Sequence, residues 1–155
     1  MSYQILIFFH IIGITILGGA LIFGQLHQFR ARRSHDISFI AETYRTLYLT
    51  IVPFAPLGGI TILLTGIGLI ILGSYQIKGW LLALIILFGF EVIEGITHYL
   101  RHAKRLMNLS SEARKKGIIT QELLNLINNR LGNFLLYLDI PNFLVIACLA
   151  IFKPF

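Results

Sequence analysis

Glu91, Glu94 and His98 stand in the stretch GFEVIEGITHYL, residues 89–100, at spacings of three and four. On a helix those spacings line the three side chains along one face. Two carboxyls and an imidazole can pass a proton, hold a cation or pair with one another. The residues around them are apolar, and one ionised acid at mid-membrane costs about 2.5–3.5 kcal/mol on insertion scales, so such groups face protein or water. His102 and Arg105 extend the stripe toward a basic boundary, and Asp139 sits in a second apolar run. Glu94 and His98, four apart, can also simply pair. Carboxylate-bridged metal sites use Glu-x-x-His pairs, which this chain lacks, so no metal site is assigned. No phosphate-cradling loop, nucleophile elbow or zinc spacing is present either.

The elements that must position these groups are membrane helices. The 155 residues are 56% hydrophobic and 13% charged, where a soluble domain carries about a quarter charged residues. Four apolar runs, each near the ~20 residues that cross hydrocarbon, cover about 3–24, 51–73, 79–100 and 132–152. The expectation is an all-α, four-transmembrane-helix bundle forming one integral membrane domain over 1–155. The first run has no basic leader, its apolar core exceeds the ~7–15 residues of a signal peptide, and no A-x-A step follows it. It reads as a retained span.

Charge sets an expected orientation. Arg30, Arg32, Arg33 and Arg45 fall in one connector, and Arg101, Lys104, Arg105, Arg114, Lys115, Lys116 and Arg130 in another. Only Lys78 and Lys153 remain for the opposite side, so the positive-inside rule puts both termini outside the cytoplasmic membrane. The formal charge of +6 is thus a topology signal. No basic groove with interleaved aromatics supports nucleic acid. The single cysteine, Cys148, excludes an internal disulfide.

The connectors are amphipathic. Ile37, Ile40, Ala41, Tyr44, Leu47, Tyr48 and Ile51 repeat at helical spacing opposite Ser38, Glu42, Arg45 and Thr46. That segment is either an interfacial helix or an inward extension of the second span. Leu123, Leu124, Ile127 and Leu131 form a stripe into the fourth span, with Gly117 as a stop and Thr120 as an N-cap.

In the first span, His10, Gly13, Leu17, Ala20, Gly24 and His27 lie on one stripe rich in small residues, the kind that lets membrane helices approach closely. Gly58, Gly59, Gly66 and Gly68 offer the same in the second. Pro53, Pro56 and Pro141 fall in helical runs, and Pro141 frees the carbonyl of Tyr137, near Asp139. At about 1.5 Å rise per residue, His10 lies roughly 10 Å from the outer end, Glu91 about 18 Å, Glu94 and Asp139 about 20 Å, and His98 about 28 Å. The three acids therefore share a layer, and His98 comes level with His27.

FFHIIGITILGGALIF (8–23), LLTGIGLII (63–71) and LVIACLAIFKPF (144–155) together resemble a family of small bacterial integral membrane proteins without assigned function. More distantly the chain is similar to membrane proteins that oxidise protoporphyrinogen and carry a b-type haem, and to the copper-resistance membrane family. GW at 79–80 and DIP at 139–141 belong to that likeness. The resemblance implies His10 as a haem ligand. It departs where the haem-carrying group has a lysine and this chain has Ile7, and where that group has an arginine and this chain has Leu26. Those departures count against porphyrin oxidation itself. His10 and His98, about 18 Å apart in depth, do not share one iron, so haem here uses His10 with an open position, or His98 with His27 or His102. The bland reading of His10 is a packed, hydrogen-bonded histidine.

The expectation is a haem-binding or redox-linked protein of the bacterial inner membrane, with His10 as ligand, His98 and His27 as further cofactor candidates, and Glu91, Glu94 and Asp139 as a proton path. The alternatives are a non-catalytic accessory subunit of a respiratory or photosynthetic complex, or a small ion or metal transporter using Glu91 and Glu94. Partners are lipid, other membrane subunits or further copies of the chain. Neither a substrate nor a reaction is legible.

Overall fold

The structure, a computed structural model, describes residues 2–153 and, at His98, the backbone alone. Pro154 of the terminal Lys-Pro step lies outside the described residues. Helix α1 spans Ser2–Arg33, α2 Ile37–Leu72, α3 Gly79–Glu94, α4 Leu100–Lys116, α5 Gln121–Ile127 and α6 Arg130–Phe152. A π-helical turn, Gly95–Tyr99, joins α3 to α4 in one unbroken rod. No strand occurs among the described residues. Four stretches are long and apolar enough to cross a bilayer: Ser2–Arg33, Ile37–Leu72, Gly79–Lys116 and Gln121–Phe152.

The helix ends follow from local chemistry. The Asp36 side chain accepts from the backbone N–H of Ser38 at 2.8 Å and of Phe39 at 3.3 Å, starting α2. Gly117 ends α4 at φ +70, a conformation glycine adopts without a Cβ penalty. Thr120 Oγ1 then accepts from Leu123 N–H at 3.3 Å, and Asn129 Oδ1 from Gly132 N–H at 3.1 Å. Because Asp36 caps a helix that continues to Leu72, the first connector is an extension of the second rod. Pro53 and Pro56 lie inside that helix without ending it.

Helix α1 packs chiefly along α2. A Cβ placed on Gly58 would meet the Leu17 backbone nitrogen at 2.8 Å and the Gly13 carbonyl at 3.0 Å, so hydrogen is the only side chain that fits there. Gly68 is similarly close to Leu6. Gly59 differs from the sequence expectation, since a Cβ there meets nothing within 4 Å. One helical step from Gly58, it has rotated off the contact.

Burial is uneven along the rods. Ala31, Ile40, Tyr44, Leu47, Ile51, Leu106, Ala113, Leu123 and Ile127 form a buried cluster toward the basic end, while Trp80 and Leu81 are buried at the other. Toward the opposite end Ile60, Leu64, Ile71, Ile86, Phe90, Leu144 and Ile151 point outward. Water drives burial where the rods leave the bilayer. Lipid tails are as apolar as leucine and supply no such drive, so the spans need only a thin seam of close contact. In the second connector, Leu123 and Ile127 are buried as the stripe anticipates. Leu124, one residue on from Leu123, is turned off the buried face of the same helix, and Leu131 is exposed because the helix breaks at Asn128–Asn129 and the phase is lost.

Candidate functional site

Three acids meet in the seam between α3 and α6. Asp139 and Asn142, three apart on α6, are both buried, together with Leu136 on the same face. Glu91 and Glu94 on α3 are half-buried opposite them. The Asn142 side-chain amide donates to Glu91 Oε1. Glu91, Glu94 and Asp139 lie within electrostatic reach of one another. Tyr99 lies within reach of both Asp139 and Glu94.

The π-helical turn explains the presence of Tyr99. Its extra residue rotates everything that follows by about 100° relative to an α-helix. The inward stripe therefore steps from Glu94 to Tyr99 and on to Leu106, Ser110 and Ala113, the last three all buried. Arg105, expected on the acid face, instead points out and pairs with Glu122 at 2.7 Å. The His98 side chain lies outside the described residues.

Next to Pro141, the Gln25 side-chain amide donates to the carbonyl of Leu136, tying α1 to α6. Nearer the basic end a cavity of about 10 Å³ is lined by Gln28, Tyr44, Leu47, Tyr99, His102, Ala103 and Leu106. Tyr44 is buried, and its hydroxyl has no hydrogen-bond partner among the described residues. Arg32 flanks this region, donating to Gln28 Oε1 at 3.4 Å and to the Tyr137 hydroxyl at 3.2 Å.

Aromatic side chains gather around Lys153 at the opposite end. Lys153 Nζ donates to the Tyr75 hydroxyl at 3.0 Å, and stands 4.3 Å from the Tyr75 ring centre and 5.6 Å from that of Trp80. The Tyr3 and Tyr75 hydroxyls are 3.3 Å apart. The bond to Tyr3, and then Lys153, hold the Tyr75 phenol below its ordinary range. At the basic end Lys116 bonds to Glu112 and lowers that carboxyl in the same way.

His10 lies apart from the acids, on the α1–α2 contact. Thr65 Oγ1 donates to the Thr61 carbonyl of its own helix, leaving its oxygen to accept from His10 Nδ1 at 2.8 Å. With Nδ1 as the donor, Nε2 keeps a lone pair, as metal-bound histidines are commonly held. The ring also lies 3.5 Å from the position of a Gly66 Cβ. As a donor atom Nε2 suits haem iron. Neither the 10 Å³ cavity nor a 330 Å³ hollow along Leu144, Val145, Cys148, Leu149 and Phe152 is lined by His10. His27 bonds through Nδ1 to the Phe23 carbonyl of its own helix at 2.9 Å and stacks on the Phe23 ring. Among the described residues, no three His, Cys, Asp or Glu side chains are grouped to hold a metal ion.

Asn142, Gln25, Gln28, Tyr99 and Thr65 join the site beyond the residues singled out from sequence, and Tyr44, expected there only on an apolar stripe, joins it through the cavity. Asn142 carried a signal, standing three residues after Asp139 in an apolar run. Gln25 and Gln28, three apart at the end of the first run, carried another.

A family model described as "Predicted integral membrane protein (DUF2269)" matches residues 4–154. No curated protein and no solved structure shows a significant match to the chain.

Proposed function

The chain belongs to the DUF2269 family of predicted integral membrane proteins, and we propose that its embedded acids form a proton path opening toward the basic end. One observation carries this reading. Glu91, Glu94 and Asp139 cluster between membrane-crossing rods, and among the described residues no Lys or Arg is ion-paired with them. Three bare carboxylates in a low-dielectric layer repel one another and lose hydration, so the cluster is held together by sharing protons. A metal ion would need three or more converging ligands, which the described residues do not group. By the positive-inside rule the basic end faces the cytoplasm of a bacterial inner membrane and both termini face out. In proteoliposomes, an imposed pH gradient should drive proton uptake that falls by about tenfold or more in Asp139→Asn, the equivalent of at least 1.4 kcal/mol on the barrier. Uptake equal to wild type in Asp139→Asn and in the Glu91→Gln/Glu94→Gln double variant removes the proposal.

A second reading rests on His10. In the tautomer with Nδ1 protonated, Nε2 would support a b-type haem bound at an interface with another copy or subunit, which would supply the enclosure and link proton movement to redox chemistry. Protein purified in mild detergent from haem-replete cells should then show a Soret band that His10→Ala abolishes and His27→Ala retains. A spectrum without that band in the intact assembly eliminates haem.

A further inference from the structure

The acid seam stops short of the basic surface, and the stretch between them is the small cavity lined by Gln28, Tyr44, Tyr99 and His102. About 10 Å³ is the room one water molecule needs, and a water is retained in protein only where two to four polar groups can bond it. The lining supplies them. Gln28 is buried on α1, Tyr44 is 3% exposed on α2, and Tyr99 and His102 come from the π-helical turn and the start of α4. The Tyr44 hydroxyl is the second, independent sign. A buried hydroxyl with no partner costs about 1–3 kcal/mol, and native interiors rarely leave one unsatisfied. Tyr44 is also one of the residues that line this cavity of water size.

Tyr99 stands between this cavity and the acids. It lines the cavity, lies within electrostatic reach of Glu94 and Asp139, and places its hydroxyl 4.0 Å from the position of a Gly24 Cβ on α1. An α-helical register would turn Tyr99 away, so the π-helical turn, a feature frequent at functional sites, is what aims it.

We infer that Tyr44, Gln28, Tyr99 and His102 hold one ordered water, and that this water with the Tyr99 hydroxyl loads protons onto the acid layer from the basic end. This rests on the proton-sharing reading above. In each transfer the water gives a proton to the Tyr99 oxygen while the Tyr99 proton passes to a carboxylate oxygen. The water is reprotonated from the basic surface, so no charge stays on the ring and no other reactant is consumed. Among the described residues, the opposite end instead carries the contacts of Lys153 with Tyr75 and Trp80 and of Tyr75 with Tyr3. A one-water cavity passes protons and excludes a hydrated metal ion.

The test is infrared hydrogen–deuterium exchange of the intact protein in bilayers, following the carbonyl band of protonated carboxyl groups after transfer to D2O. Tyr44→Phe and Tyr99→Phe should each slow exchange by about tenfold, while Tyr75→Phe at the opposite end leaves it unchanged. Tyr44→Phe should also fail to raise thermal stability, since it removes a hydroxyl that water satisfies. Wild-type exchange rates in both Phe variants, or a more stable Tyr44→Phe protein, overturns the inference while the acid layer stands. Absence of any carboxyl band that Asp139→Asn, Glu91→Gln or Glu94→Gln diminishes overturns the underlying reading as well.

Discussion

Gly58→Leu should separate α1 from α2 and leave a protein that unfolds in mixed detergent micelles well before the wild type. A Cβ at this position already meets the Leu17 backbone nitrogen at 2.8 Å and the Gly13 carbonyl at 3.0 Å. Backbone atoms cannot swing aside as a side-chain tip can, so the helices themselves must move. For Gly58→Ala the expected loss is about 1–3 kcal/mol, the usual range for overpacking, and Leu exceeds it. The effect is large because lipid gives the helices no hydrophobic reason to stay together. Their association rests on close packing, which the substitution removes over several turns. Gly59→Ala is the control: with nothing within 4 Å of its Cβ, it should be neutral or gain up to about 1 kcal/mol from helix propensity. Equal stability of Gly58→Leu and wild type in reversible unfolding would show that this crossing is not what joins the rods.

The two glycines also mark how far sequence reasoning reaches. Residues 58 and 59 are the same amino acid in the same apolar run, and only rotation about the helix axis tells them apart. Rotation is set by packing, and in a run apolar on all sides the sequence carries little phase information. The four crossing helices were legible because length and hydropathy are averaged over ~20 residues and tolerate local error. Amphipathic phase was legible where water was present to impose it. Ile40, Tyr44 and Leu47 are buried while Glu42 and Arg45 are exposed, as their spacing requires. The acid layer was legible through cost, since Glu91, Glu94 and Asp139 stand out against lipid. The partners of those acids were not. Tyr44 and Tyr99 count as apolar in any hydropathy sum, and their hydroxyls matter only once a cavity surrounds them. The π-helical turn at Gly95–Tyr99 left no signal in an α-helical pattern, so the stripe drawn from sequence reached His102, which does line the cavity, but missed Tyr99 and carried on to Arg105, which points out.

Breaking the contact between Asn142 and Glu91 from one side should cost more than removing it from both. With Asn142→Leu, Glu91 loses the amide that donates to Oε1 and remains beside Asp139 and Glu94, so a loss of about 1–3 kcal/mol is expected. Glu91→Leu leaves the buried Asn142 amide without its acceptor, with a loss of the same order. Both groups gone, nothing polar is stranded at this contact, and one member of the repelling acid cluster has been removed. The double variant should therefore be closer to wild type than the sum of the singles, by a coupling of about 0.5–3 kcal/mol in reversible unfolding. Additive losses would mean that Asn142 and Glu91 do not depend on each other. The same double variant separates folding from function. It recovers stability without recovering a proton-bearing group, so its carboxyl infrared band and its proton uptake should stay reduced while its unfolding curve returns. If uptake returns together with stability, Glu91 serves the bundle as a packing element and the proton path runs through Asp139 and Glu94 alone.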